Sequence, residues 1–292
     1  MPIKSGFVAI SGRPNVGKST LINKLVNFKV AITSYKAQTT RNVIHGIYND
    51  EQTQIVFVDT PGIHKAKTAL GKIMNKSALA AVKDVDAVLL VVEISDEPVF
   101  LDENLEKLVA EKKDKIILIL NKIDGVKKEI IYQQIKRWDS AYNFKAIIPL
   151  SAKTGENIET LLKEIKNRLA TGPKFYPETM VSDHPHEFLV QEIIREKILL
   201  LTQQEIPHSV AVYLEKFKLT DTKLTIDAVV VLEKDSHKGI VIGKAGAMLK
   251  QIIAKSSQDL AKQFDRKVAL EIFVKVEKDW RNKPKKLKDL GY

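Results

Sequence analysis

The sequence predicts an α/β protein in two parts. A doubly wound, mostly parallel sheet spans residues 1–170, and a smaller α+β domain spans 187–280. Three observations predict this. Short apolar runs alternate with amphipathic stretches of helical period as far as about residue 170. The alternation stops at "TGPKFYPETMVSDHPH", residues 171–186, which holds three prolines and no period and reads as a linker. Beyond it the pattern changes to one long helix, a pair of period-2 runs, further helices and a last strand.

In the first part, strands are expected at Phe7–Ile10, Ile55–Val58, Ala87–Val92, Ile116–Leu120 and Ala146–Leu150. The helices between them are "STLINKLV", "ALGKIMNKSALAAV", "DENLEKLVAEK", "IIYQQIKRW" and "IETLLKEIKNRL". Apolar strands joined by amphipathic helices give parallel pairing with helices on both faces. In the second part, "EFLVQEIIREKILLLTQQ" is a helix, and "SVAVYLEKFKL" and "KLTIDAVVVLEK" form a hairpin across "TDT". A helical "AMLKQIIAKSSQDLAKQF" and a strand "VALEIFVKVEK" complete an α-β-β-α-α-β order. Residues 281–292, "RNKPKKLKDLGY", read as a mobile basic tail.

Composition narrows the class. Apolar content of 44% with 28% charged residues describes a soluble globular chain. The longest apolar runs are too short to span a bilayer, and "MPIKSGFVAI" lacks the features of a secretory signal. With no cysteine there is no disulfide framework and no thiolate metal site, so a cytoplasmic protein is expected. Residues 238–292 hold 14 Lys/Arg against 6 Asp/Glu, which is +8 of the formal net charge of +11. Such asymmetry points to a polyanionic partner for this segment.

"GRPNVGKS" fits G-x-x-x-x-G-K-[ST] between an expected strand and a helix. Its glycines, Gly12 and Gly17, let successive N–H groups turn inward onto phosphate oxygens, and the helix N-terminus adds its dipole. Lys18 would neutralise phosphate charge and the Ser19 hydroxyl would ligate Mg2+. Arg13, Pro14, Asn15, Val16 and Thr20 complete the expected phosphate wrap. "IVFVDTPG" ends a strand at Asp59, placed to reach Mg2+, and is followed by Thr60, Pro61 and Gly62, whose N–H would meet the γ-phosphate. In "KAQTTRN", Thr40 is the expected metal-binding switch hydroxyl, with Thr39 as the alternative that spacing does not separate.

"NKID" follows the strand Ile116–Leu120. Asp124 would accept from guanine N1–H and the exocyclic amine, which adenine cannot supply. Asn121 would brace the loop, and Lys122 would lie over the base and against the first loop. "SAK", Ser151, Ala152 and Lys153, follows the next strand, with the Ala152 N–H offered to guanine O6. Four motifs in order at the carboxyl ends of strands make a GTP/GDP and Mg2+ site.

Where Ras-like proteins carry a water-orienting glutamine after D-x-x-G, this chain has Ile63, with His64 beside it. Slow intrinsic hydrolysis is expected. Acceleration is expected from the phosphate clamp of Lys18, Thr40 and Gly62, from Mg2+, and from a partner or a monovalent cation, K+, that Asn15 would help to hold.

A second glycine-lysine loop, Gly243, Lys244, Ala245 and Gly246, joins apolar "GIVI" to an amphipathic helix in the basic segment. It lacks the ending of a triphosphate cradle. Its α-β-β-α-α-β setting is that of KH domains, in which such a loop clamps backbone nucleotides of a single strand. Ile240, Ile242, Leu249 and Lys250 are expected to line the adjacent groove.

Together, "GRPNVGKS", "KAQTTR", "DTPGIHK", "NKID", "SAKTG" and "VIGKAG" resemble the Era family of bacterial ribosome-assembly GTPases, over essentially the whole chain. The resemblance implies a P-loop GTPase domain followed by a type II KH domain, with hydrolysis of GTP to GDP. It further implies binding of the 3′ end of small-subunit ribosomal RNA and assistance to 30S subunit assembly in ribosome biogenesis. Peripheral association with an anionic inner-membrane surface, through the tail, also follows from it. A monomer is expected.

Overall fold

The computed structural model describes residues 3–36, 39–62, 68–95, 99–202 and 209–292. The described chain forms two compact units, one of residues 3–31, 42–62 and 74–183, the other of 32–41, 68–73 and 184–292.

In the first unit, strands β1 (Ile3–Gly12), β2 (Ile44–Asn49), β3 (Thr53–Asp59), β4 (Ala87–Glu93), β5 (Ile116–Asn121) and β6 (Ile147–Leu150) form a sheet ordered β2-β3-β1-β4-β5-β6. All neighbours are parallel except β2, which runs antiparallel to β3 at the edge. β3, β4 and β5 are buried almost end to end, as an apolar run covered on both faces requires. Helices α1 (Lys18–Val26), α2 (Ala69–Ala81), α3 (Glu103–Lys112), α4 (Lys128–Tyr142) and α5 (Ile158–Arg168) alternate with the strands. Asp102 caps α3, accepting from the N–H groups of Asn104 at 3.1 Å and Leu105 at 3.2 Å. Register brings the motif-bearing strand ends to one edge: Asp59 lies opposite Ile10, Gly12 opposite Val91, and Asn121 opposite both Glu93 and Leu150.

Two departures from expectation concern this unit. β2 carries glycine and histidine among its apolar residues, which blurs its alternation, and it was not anticipated. Residues 171–183 are not a free linker but pack on the sheet. β7 (Thr171–Gly172) pairs antiparallel with the start of β1, and Ser182 bridges to Gly46. The fully buried Gln54 amide accepts from the Phe175 and Tyr176 N–H groups and donates to the Tyr176 carbonyl. Phe175 meets Phe7 with ring centroids 4.8 Å apart.

The second unit has the expected order. α6 (His186–Leu201) is followed by β8 (Ala211–Leu219), β9 (Lys223–Leu232), α7 (Asp235–Ile242), α8 (Ala247–Phe264) and β10 (Lys267–Val276). The sheet runs β10-β9-β8, with β9 antiparallel to β8 and parallel to β10. One face, carrying Leu224, Ile226, Val230 and Ile272, shares a core with Val190, Ile194 and Ile198 of α6 and with Ile252 and Leu260 of α8.

Residues 281–292 are folded rather than mobile. A short turn of helix at Trp280–Asn282 leads into α9 (Pro284–Asp289), with proline in its first turn. Trp280 is fully buried and donates from Nε1 to the Ser209 carbonyl at 3.0 Å, and Leu287 and Leu290 are buried too. Three apolar anchors outweigh the exposed lysines of this stretch.

Candidate functional site

The loop after β1 turns on Gly12, Asn15 and Gly17, which have φ of 145°, 66° and 101°. α1 starts directly behind Gly17, so its first N–H groups open onto the loop. A Cβ on Gly17 would sit 2.2 Å from Asn121 Nδ2, so a larger residue would have to displace that amide. Lys18 is almost wholly buried, and its ammonium donates to the carbonyls of Gly12 at 3.0 Å and Arg13 at 2.8 Å. Burial pushes this ammonium down to about 8, while the nearby Asp59 carboxylate holds it partly up. Arg13 lies over the Phe100 ring at 4.6 Å and 3.8 Å from Asp102. Asn15 is exposed, Val16 is buried, and Pro14 and Thr20 are half-buried.

Ser19 Oγ donates to Asp59 Oδ2 at 2.9 Å, and Asp59 is fully buried. A hydroxyl joined to a buried carboxylate at a phosphate loop is an oxygen donor set for a hard divalent cation that keeps waters and phosphate oxygens as its other ligands. These residues fit Mg2+. Thr60 Oγ1 donates to the Ile10 carbonyl at 3.0 Å and Pro61 is buried beside it. Gly62 runs against Pro14, since a Cβ there would lie 3.1 Å from Pro14 Cγ. Ile63 and His64 lie outside the described residues.

The base loop is fixed by Asn121 rather than by its charges. Asn121 Nδ2 donates to the Val16 carbonyl at 2.7 Å, and Asn121 Oδ1 accepts from the Ala152 N–H at 3.0 Å. That N–H, expected to face a base, is therefore engaged within the protein. Ser151, fully buried, donates from Oγ to Asp124 Oδ1 at 2.9 Å and accepts from the Thr154 N–H at 3.2 Å. Asp124 and Lys153 are exposed. Lys122 adopts φ of 68° and pairs with Glu93 at 2.6 Å, a carboxylate the motifs did not single out. Its signal was only its place at the end of β4, one strand from the motif.

Thr39 and Thr40 are not placed with the phosphate loop's unit. They belong to residues 32–41 of the second unit, where Thr40 is buried and Thr39 Oγ1 donates to the Lys36 carbonyl at 2.6 Å.

In the second glycine loop Lys244 and Ala245 are exposed, while Gly243 and Gly246 are half-buried. Gly243, Ala245 and Gly246 all have positive φ, 74°, 49° and 75°, so three residues of the loop occupy conformations that suit glycine. Gly243 is tightly constrained, because a Cβ would lie 2.7 Å from Met248 Cβ and 2.9 Å from its N. Gly246 faces open space. Lys244 and Lys250 are exposed, Ile240 is 47% exposed, and Ile242 and Leu249 are half-buried. The loop caps α8, whose first N–H groups lie behind it.

Residues 7–122 match the family described as 50S ribosome-binding GTPase, and residues 205–281 match the KH domain. A Tyr→Ala variant of Era from Aquifex aeolicus, bound to GDP and AlF4−, is 36% identical with a TM-score of 0.94, covering 99% of both chains. The chain belongs to the Era family. An Era complex with MgGDPNP and nucleotides 1506–1542 of 16S ribosomal RNA has the same identity, coverage and TM-score. Like Era, this protein is a GTPase with a P-loop α/β domain followed by a KH domain. Among the described residues, no helix is long and apolar enough to cross a membrane.

Proposed function

We propose that this GTPase is a switch whose KH unit binds the single-stranded 3′ end of small-subunit ribosomal RNA and assists 30S assembly. The observation that carries the reading is the Gly243–Gly246 loop at the start of α8, which exposes Lys244 and Ala245 and lies beside the exposed Lys250 and Ile240. Backbone N–H groups and lysines suit phosphates, and an apolar flank suits unstacked bases. A 36% identical Era was solved with such an RNA, which supports the choice of the 16S 3′ end.

In the nucleotide site, the loop from Gly12 to Gly17 wraps the phosphates and Lys18 exchanges its two carbonyl partners for phosphate oxygens. Ser19 and Asp59 would hold Mg2+, which supplies charge neutralisation at the β- and γ-phosphates, and Thr40 would add its hydroxyl in the triphosphate state. Asp124, fixed by Ser151, reads the guanine N1–H and amine. Asn121 keeps the base loop and the phosphate loop in one frame. With Ile63 at the usual glutamine position, water is not oriented by that side chain, so intrinsic turnover is slow. Asn15 in the phosphate loop would help to hold K+, which predicts faster turnover in K+ than in Na+.

A triphosphate would be contacted by Thr40 and Gly62, and hydrolysis would remove that contact. The 281–292 segment buries its apolar residues, so a membrane contact would rest on lysines alone, and RNA is the better polyanion. Titration with a 3′-terminal 16S fragment against a scrambled strand of equal length tests the reading. Preference for the 3′ end supports it, and equal affinities remove the assignment of the RNA.

A further inference from the structure

Residues 32–41 carry the switch threonines, yet their packing partners lie in α6 and the 280–292 segment of the second unit. Ile32 is buried in the core that includes Val190 and Ile194. The Thr33 N–H donates to Glu196 Oε1 at 2.8 Å, and Lys197 braces Glu196 at 3.1 Å. Arg195, 1% exposed, is held by both oxygens of Glu192 at 2.7 and 2.6 Å and donates from Nη2 to the Thr39 carbonyl. Arg41, 3% exposed, donates from Nη1 to the Val210 carbonyl at 2.7 Å and to Tyr292 Oη at 3.1 Å. Its guanidinium lies 5.8 Å from the rings of both Trp280 and Tyr292, which stack with centroids 6.0 Å apart.

Two buried guanidiniums thus fix the backbone on either side of Thr40, one through the carbonyl before it and one through the residue after it. Buried arginines held by a carboxylate or by backbone carbonyls are geometrically demanding, so they favour one arrangement of the segment. Fixing that backbone costs conformational entropy whichever ligand is bound. A nucleotide that needs Thr40 in place gains when the protein has already met that cost. A diphosphate, which makes no use of the segment, gains nothing.

We infer that Arg41 and Arg195 are positioning residues that preorganise the Thr39–Thr40 backbone and so set the preference for triphosphate over diphosphate. Tyr292 supports Arg41 in this role. The inference rests on the proposed role of Thr40 at the γ-phosphate end of the site. By linkage, a triphosphate in turn stabilises this arrangement of α6 and the 280–292 segment, which reaches the KH sheet by the same contacts.

The test compares Mg2+-dependent binding of a non-hydrolysable GTP analogue and of GDP to the full chain and to Arg41→Ala and Tyr292→Phe. Removing a hydrogen bond to a charged, buried group predicts analogue binding weakened by about tenfold in Arg41→Ala and about threefold in Tyr292→Phe, with GDP affinity changed by less than about twofold. Tyr292→Phe keeps the ring and its stacking, so it remains informative should Arg41→Ala fail to fold. A purely structural role would lower the melting temperature and weaken both nucleotides alike. Equal losses for the two nucleotides, unchanged affinities, or tighter analogue binding overturn the inference. Failure of the unaltered chain to bind guanine nucleotides would instead remove the site on which it rests.

Discussion

Asn121 Nδ2 donates to the Val16 carbonyl at 2.7 Å, tying the base loop to the phosphate loop across 105 positions of chain. The same side chain accepts from the Ala152 N–H, so one buried amide holds three loops at the carboxyl edge of the sheet. Asn121→Ala leaves a buried carbonyl and a buried N–H without their partner. Unfolding free energy of the first unit should fall by about 2–4 kcal/mol, and nucleotide affinity should fall with it. Urea titration and nucleotide binding check this, and unchanged stability would count against the brace.

Lys18 gives the nucleotide site a pH dependence with a definite sign. Its ammonium is pushed down from its ordinary 10.5 to about 8 by burial in the nucleotide-free protein. Bound phosphates favour the charged form and raise it again, so binding takes up a proton once pH exceeds about 8. Affinity for GDP should be nearly level from pH 6.5 to 7.5 and fall by about fivefold between pH 8 and 9. In the same protein without nucleotide, the buried charge opposes folding. Stability from this group should therefore rise as pH rises from about 8 toward 10.5. Calorimetric binding in buffers of different ionisation heat measures the proton uptake directly, and none above pH 8 would contradict the assignment.

The two glycines of the second loop should behave differently when changed. Gly246 faces open space at φ of 75°, so Gly246→Asp costs about 1 kcal/mol of backbone strain while placing a carboxylate where phosphates would lie. RNA affinity should fall by more than about tenfold, with normal nucleotide binding. Gly243→Asp drives a Cβ into Met248 and should destabilise the KH unit itself. A double variant would confuse the two effects. Circular dichroism and RNA titration separate them, and RNA affinity intact in Gly246→Asp would exclude the loop as the phosphate clamp.

Trp280 anchors the segment expected to be mobile. Trp280→Ala empties a fully buried site and frees the Ser209 carbonyl, which should cost the second unit about 3–5 kcal/mol. Hydrogen exchange should then show amides of 280–292 and β8 losing protection, with the first unit unchanged. Protection retained in that segment would mean that it is held elsewhere.

The sheet, the helices and the nucleotide loops were legible because each is announced locally. Apolar runs mark β3 to β5, and Gly12, Gly17, Asp59, Asn121 and Asp124 stand at spacings that only strand ends can bring together. What stayed hidden depends on distant partners. Nothing near Gln54 shows that its amide holds Phe175 and Tyr176, so 171–183 looked like free chain. Likewise no motif singles out Glu192, Arg195, Glu196 and Lys197, yet all are buried on α6. Charges are rarely placed so without partners, and here those partners include Thr33 and Thr39, more than 150 positions away. The tail looked mobile because its lysines outnumber its apolar residues, whereas Trp280, Leu287 and Leu290 decide its fate.

On the function proposed above, guanine nucleotide and RNA bind one chain in linked states. The most direct test is equilibrium titration of the full chain with the single-stranded 3′ end of 16S ribosomal RNA, at fixed salt and Mg2+, with GDP or with a non-hydrolysable GTP analogue. RNA should bind tighter by about fivefold or more in the triphosphate state. The same dissociation constant in both states would contradict that linkage.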